Sequence, residues 1–423
     1  MHRSALHSFN ERTDKMSHGK GLSRRDFIKT AGAMGSGSLL VGSRAFAQSG
    51  APATETPGAD AGEIPTRPFG KTGIRVSCLS LGGMFDIPSN QLLLKQAVRW
   101  GVTYWDTADC YEGGRSEAGF GQFFKKYPET RGKVFLVTKS DERNPEGMTK
   151  LLQQSLERLN TDYIDLYFIH GTRSIKELNN DTRAWVEKAK KEGKIKLFGF
   201  STHSNMEECM LGAAGLGWID GIMMTYNFRI MHSDRMKAAV DACVKAGIGL
   251  TAMKTQGGGS VRMDSEAELA LAGRFLKMGF TDKQAKLKAV WENPDIASIC
   301  SQMPSLTVLM SNVAAALNRD KLSAPDLELL NRYALETSSG YCAGCADLCE
   351  SAIDCRVPVG DVMRHLMYFH SYGERDRARE FFAGLDRDVK DRLREMDFKQ
   401  AENKCPNHVR IGRLMKEAST LLA

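Results

Sequence analysis

Four polar residues stand at nearly equal intervals through the middle of the chain, each directly after a short β-rich run: Asp106, Lys139, His170 and Ser201, separated by 33, 31 and 31 residues. About thirty residues is the length of one strand-loop-helix-loop unit, so such a period sets successive residues at the same end of neighbouring parallel strands. The runs are Val76–Leu81, Val102–Trp105, Val134–Thr138, Ile164–Ile169, Leu197–Phe200, Gly221–Thr225, Gly249–Met253 and Ile296–Cys300. Eight runs alternating with amphipathic stretches predict an α/β fold of the closed (β/α)8 TIM-barrel type rather than a doubly wound sheet. The four polar side chains then lie side by side at the carboxyl face. Arg67–Gly73, ahead of the first run, reads as a hairpin closing the opposite end.

A chain of 423 residues exceeds the roughly 250 of a barrel, so a second unit is expected. From about Ser323 the pattern turns to helices without strands: Pro325–Thr337, Val359–Tyr372, Asp376–Met396 and Ile411–Leu422. This divides the chain into a barrel over 64–320 and a small helical, cysteine-rich domain over 321–423.

The net charge of +7 does not signal nucleic acid, because residues 1–47 hold eight Lys/Arg against three Asp/Glu and leave a nearly neutral body with no basic stripe. No apolar run approaches the ~20 residues of a membrane span. Within 1–47 stand Ser23-Arg24-Arg25-Asp26-Phe27-Ile28-Lys29, a Gly/Ala-rich stretch from Thr30 to Val41, and Ala45-Phe46-Ala47. This order of basic, mildly apolar and small-x-small segments resembles a twin-arginine signal peptide. The resemblance implies carriage by the Tat export machinery to the periplasm or an equivalent exported location. Residues 48–63, rich in Ala, Pro, Gly, Thr and Ser, read as a linker.

Chemistry concentrates in Trp105-Asp106-Thr107-Ala108-Asp109-Cys110-Tyr111-Glu112-Gly113-Gly114-Arg115-Ser116-Glu117, in Val137-Thr138-Lys139 and in Asp165-Leu166-Tyr167-Phe168-Ile169-His170. In order and position these resemble the aldo-keto reductase family over about Pro65 to Ala316. The resemblance implies an NAD(P)-dependent oxidoreductase acting on a small carbonyl or alcohol, with Tyr111, Asp106, Lys139 and His170 as the catalytic set. Physical logic supports those roles. A Tyr hydroxyl near pKa 10 must be made more acidic to protonate a developing alkoxide. The Lys139 ammonium favours the phenolate, Asp106 keeps that ammonium charged and aimed, and His170 holds and polarises the substrate oxygen.

The resemblance also implies that Ser201 and Asn227 hold the nicotinamide, while Lys254 and Gly258, within Lys254 to Gly259, suit a pyrophosphate cradle. This chain departs from the family pattern at Met223, where a glutamine is expected, and at Met253, in place of an aromatic. After the eighth strand no basic residue precedes Arg319, so the choice between NADP and NAD stays open.

Of ten cysteines, Cys78, Cys110, Cys209, Cys243 and Cys300 are scattered singly and read as small buried apolar groups. The others are Cys342, Cys345, Cys349, Cys355 and Cys405. A Cys-x2-Cys-x3-Cys run followed by a remote Cys405-Pro406 is an arrangement that wraps a 4Fe-4S cluster, with Cys342, Cys345, Cys349 and Cys405 as ligands and Cys355 as the alternative fourth. It is similar to the ferredoxin-like segment of one aldo-keto reductase branch. Zinc and disulfides stay open on spacing alone. A competing reading is an exported electron-transfer subunit that keeps the barrel as a scaffold and works with a redox partner.

Overall fold

The computed structural model describes residues 62–261, 266–353 and 357–423. The twin-arginine segment, most of the linker and Cys355 lie outside the described residues. Among the described residues ten strands occur: β1 (Thr66–Pro68), β2 (Arg75–Ser77), β3 (Leu79–Gly82), β4 (Tyr104–Asp106), β5 (Phe135–Ser140), β6 (Ile164–Ile169), β7 (Ile195–Thr202), β8 (Gly221–Thr225), β9 (Gly249–Met253) and β10 (Ile296–Gln302). β3 to β10 close a parallel barrel in the order β10-β3-β4-β5-β6-β7-β8-β9, with helices between successive strands, as the spacing predicts.

The run Val76–Leu81 is not one strand. It breaks at Cys78, whose N–H donates to Pro65 and whose carbonyl accepts from Ile299. The chain therefore passes there from the antiparallel β1–β2 hairpin into barrel strand β3. The hairpin seals the amino-terminal end. Arg67 donates to the carbonyls of Trp291, Asn293 and Ile296 at 2.7, 2.8 and 2.9 Å. Phe69, fully buried, plugs the floor among Tyr104, Phe135, Leu166 and Phe168. A Cβ at Gly221 or Gly249 would stand 2.7 or 2.5 Å from its ring, so the plug depends on glycine in β8 and β9.

Strand alternation sets the polar layer above this floor. Tyr104, Phe135, Val137, Leu166 and Phe168 belong to the interior cluster, and side chains two residues apart share a face. Asp106, Lys139 and His170 continue those inward series at the carboxyl ends. Trp105 points outward, stacked between Phe120 and Phe124 at centroid distances of 5.1 and 5.5 Å.

Past the barrel, helix Ala324–Glu336 buries Leu330, Tyr333 and Ala334 in the barrel's own core, and Tyr341 belongs to it as well. A separate apolar cluster begins at Val357 and gathers Val359, Leu366, Phe382, Leu393, Phe398 and Leu414. Val359–Tyr372 is a helix over Val359–Met367 continued by a wider π-helical turn, Tyr368–Tyr372. The predicted helix Asp376–Met396 is two, Arg375–Ala383 and Arg387–Glu395, parted at Gly384. No helix among the described residues is long and apolar enough to cross a membrane.

Phe69→Ala is expected to cost about 3–5 kcal/mol, the range for truncating a buried aromatic, read as a fall in the urea midpoint. A cost under about 1 kcal/mol would show that the floor is not held by this ring.

Candidate active site

The loop after β4 folds back over the barrel through three consecutive left-handed residues, Glu112, Gly113 and Gly114, at φ of 52°, 63° and 88°. Two of the three are glycine, which accepts this backbone without a Cβ penalty. The turn lowers Tyr111 onto Lys139. The Lys139 ammonium, 1% exposed, sits 2.7 and 2.8 Å from the two Asp106 carboxylate oxygens and donates to the Thr107 carbonyl at 2.7 Å. Its remaining direction is spent on the Tyr111 hydroxyl at 3.2 Å. The structure thus brings Asp106, Lys139 and Tyr111 into direct contact.

Burial works against every charge here. It would discharge Lys139, but the Asp106 carboxylate and the Tyr111 oxygen outweigh it and push the ammonium above its ordinary value. Burial pushes Asp106 up despite the pull of Lys139. Tyr111 is likewise raised by burial, with Lys139 the main opposing influence. Lys139 stays protonated in this site, and its charge favours loss of the Tyr111 proton.

His170 closes the group, its ring edge-on to Tyr111 at 5.7 Å between centroids. Its Nδ1 faces Asp141 Oδ1 at 2.7 Å and Cys110 Sγ at 3.7 Å. Burial is the main cause of a pKa below the ordinary histidine value, against the Asp141 bond, so the ring is neutral near pH 7. A neutral imidazole that gives its Nδ1 proton to Asp141 keeps an acceptor, not a donor, at Nε2.

The residues expected to hold a nicotinamide are already engaged within the chain. The Asn227 amide donates to the Tyr341 hydroxyl at 3.0 Å and to the Lys254 carbonyl at 3.1 Å. Lys254 donates to the Tyr368 hydroxyl at 2.9 Å. A Cβ at Gly258 would meet Ser371 at 2.7 Å and Tyr372 at 2.9 Å. Asn227, Lys254 and Gly258 line one cleft with Tyr341, Cys342, Gly360, Met363 and Arg364, while Ser201 lies outside that lining and accepts from the Gly171 N–H at 3.1 Å. Tyr341 and Tyr368 from the carboxyl-terminal part thus share this cleft with Asn227 and Lys254 through side-chain hydrogen bonds. Burial pushes the Tyr368 phenol up, yet Lys254, Arg364 and Arg377 outweigh it and bring it down to about 8.

The expected metal ligands converge. Cys342, Cys345, Cys349 and Cys405 line a single pocket with Met363, Pro406 and Ile411. None is in a disulfide. Burial pushes the Cys342 and Cys345 thiols up to about 12 and 11, neighbouring thiols adding to it.

Several site residues have no place in the sequence reading. Cys110 is exposed rather than buried, because the left-handed turn holds the loop above the barrel rim. Cys300, read as a buried strand residue, is half-buried beside Asp106 and Lys139. Asp141 follows Cys110 by 31 residues and precedes His170 by 29, so the same period that marks the catalytic residues also carries it. Tyr341, Tyr368 and Arg377 carry no such mark, since only domain docking brings them to the barrel.

Comparison with known proteins bears on the family and the fold. The profile of the Aldo/keto reductase family matches residues 80–302. Aldo-keto reductase yakc of Schizosaccharomyces pombe, whose name specifies NADP(+), is 35% identical over 159 residues, 33% of this chain and 45% of that protein. L-galactose dehydrogenase of Arabidopsis thaliana is 23% identical over 289 residues, 62% of this chain and 90% of that one. The chain spans about half the length of the curated relatives it matches at higher identity. In fold it is similar to an aldo-keto reductase from Bacillus halodurans, with a TM-score of 0.55, 23% identity, and 64% and 96% of the two chains covered. With more than half of its length matched by the family profile and the barrel closed around Asp106, Lys139 and Tyr111, the chain belongs to the aldo/keto reductase family.

Proposed function

We propose that this protein is an exported oxidoreductase interconverting a small carbonyl compound and its alcohol, with Tyr111 as the proton donor and acceptor. One observation carries the reading: a buried, charged Lys139 touches both Asp106 and the Tyr111 hydroxyl. As the carbonyl carbon is reduced, the proton on Tyr111 passes to the substrate oxygen, and Lys139 stabilises the phenolate left behind. Oxidation runs the same path in reverse. When bound, a nicotinamide supplies or takes the hydride, and the relative named for NADP(+) supports that group.

The carboxyl-terminal domain is read here as a 4Fe-4S carrier held by Cys342, Cys345, Cys349 and Cys405. Support comes from four thiols lining one largely apolar pocket, which together supply the four thiolates a cubane needs. Four thiolates also satisfy zinc by charge, and metal analysis decides between the two guests. Export by the Tat machinery is proposed from Ser23–Lys29 and Ala45–Ala47, and a route that carries folded proteins suits a chain loaded with a cluster. A second reading, an electron-transfer subunit serving a redox partner, draws on the engagement of Asn227 and Lys254 by Tyr341 and Tyr368.

Tyr111→Phe tests the first reading. It should leave the fold intact and lower NADPH-dependent carbonyl reduction by about 10² to 10⁴. Undiminished turnover removes Tyr111 from its role, and absence of turnover in the parent chain favours the electron-transfer reading.

For the cluster, anaerobically matured protein should be brown and bleach with dithionite, and Cys342→Ser, Cys345→Ser, Cys349→Ser or Cys405→Ser should each lower iron content. Colourless, iron-free protein would leave a zinc or thiol module.

A further inference from the structure

Four side chains from three successive strand ends converge at the edge of the catalytic group, three of them outside it and the fourth, His170, shared with it. They are Asp109 and Cys110 after β4, Asp141 after β5, and His170 after β6. One ligand atom from each lies within 4.8 Å of all the others. The set combines a thiol, an imidazole and two carboxylates, the mixture a borderline-soft divalent ion takes in four-coordinate sites.

The Asp141–His170 bond alone does not account for the arrangement. Asp109 is 8% exposed, and its Oδ1 is buried with no hydrogen-bond partner. An unpartnered buried carboxylate oxygen is costly. Cys110 Sγ stands 3.7 Å from His170 Nδ1, on the side of the ring that Asp141 already occupies. Both observations point to one centre between them. A tetrahedral ion with bonds of about 2.0–2.3 Å sets its ligands roughly 3.3–3.8 Å apart. The sulfur-to-nitrogen distance already falls there, and the 2.7 Å His170–Asp141 hydrogen bond opens as its proton leaves the gap. Cys110 is exposed, which leaves the centre open to solvent.

We propose that Cys110 Sγ, His170 Nδ1 and the Asp109 and Asp141 carboxylates form a binding site for a zinc-type divalent cation at the rim of the active site. Binding releases the Cys110 thiol proton to solvent, while the single N–H proton of the neutral His170 ring relocates through solvent from Nδ1 to Nε2, which turns Nε2 from acceptor into donor toward the cleft shared with Tyr111. The ion thus supplies the donor that carbonyl polarisation requires and that the Asp141-bonded ring lacks. This consequence rests on the carbonyl-reductase reading, whereas the binding of the ion does not.

The test uses cluster-loaded full-length protein kept anaerobic, so that the carboxyl-terminal cysteines are occupied. The protein is dialysed against micromolar zinc, or cobalt as a spectroscopic probe, and compared with C110S and D141N, each checked for native circular dichroism. The parent should retain one zinc equivalent that both variants lose. Cobalt should give it a thiolate-to-metal charge-transfer band in the difference spectrum that C110S lacks. Equal zinc in the parent and both variants, or a cobalt spectrum without the thiolate band, overturns the site. Neither readout uses turnover, so the site can fail while the catalytic reading stands, and the reverse.

Discussion

The buried pair between Lys139 and Asp106 is the interaction on which the rest of the structure turns. Two ions placed 1% and 3% exposed at the carboxyl end of a barrel cost several kcal/mol each in lost hydration, and their approach at 2.7 Å offsets that cost only if the geometry is held. The barrel holds it. Tyr104 and Asp106 on β4, and Phe135, Val137 and Lys139 on β5, rise in register from a floor sealed by Phe69, with Asp106 level with Val137 and Lys139 level with Phe168. Between strands with fixed side-chain alternation neither ion can retreat to water. Lys139 therefore keeps its charge and aims its free N–H at Tyr111.

The carboxyl-terminal domain changes what such a barrel can exchange with its surroundings. Tyr341 and Tyr368 take the side-chain hydrogen bonds of Asn227 and Lys254, and Ser371 donates to the Gly259 carbonyl at 2.7 Å. The pocket of the four cysteines and the cleft at Lys254 share walls made by Cys342, Ala343, Gly360 and Met363. Whatever enters that cleft is read by both domains at once. Opening it means breaking the contacts that dock the helices, so access to the barrel and the fit of the cysteine domain are coupled through the same few side chains.

Much of this is legible in the sequence because it is periodic. A 31-residue spacing and a two-residue strand alternation are local rules, and they find Asp106, Lys139 and His170 without a structure. They also carry Asp141, a residue that goes unnoticed because a carboxylate after a strand is an ordinary cap. What escapes them is non-local or contrary to pattern. The break at Cys78 hides inside an unbroken apolar run, since its cause is pairing with Pro65 and Ile299. The division of the helical stretch at Gly384 is masked by strong amphipathicity on both sides. Exposure of Cys110 follows from three left-handed residues, and the engagement of Asn227 and Lys254 follows from Tyr341 and Tyr368, each more than a hundred residues away in sequence.

The central claim, that Asp106 and Lys139 act as one unit on Tyr111, is tested most directly by a double-mutant cycle on carbonyl reduction, comparing Asp106→Asn, Lys139→Met and the double variant in protein of verified fold. Residues that act as a unit lose their effect together. The double variant should be no slower than the slower single one. Losses that multiply, so that the double variant is slower by the product of the two single effects, would show that the pair acts independently and contradict the account.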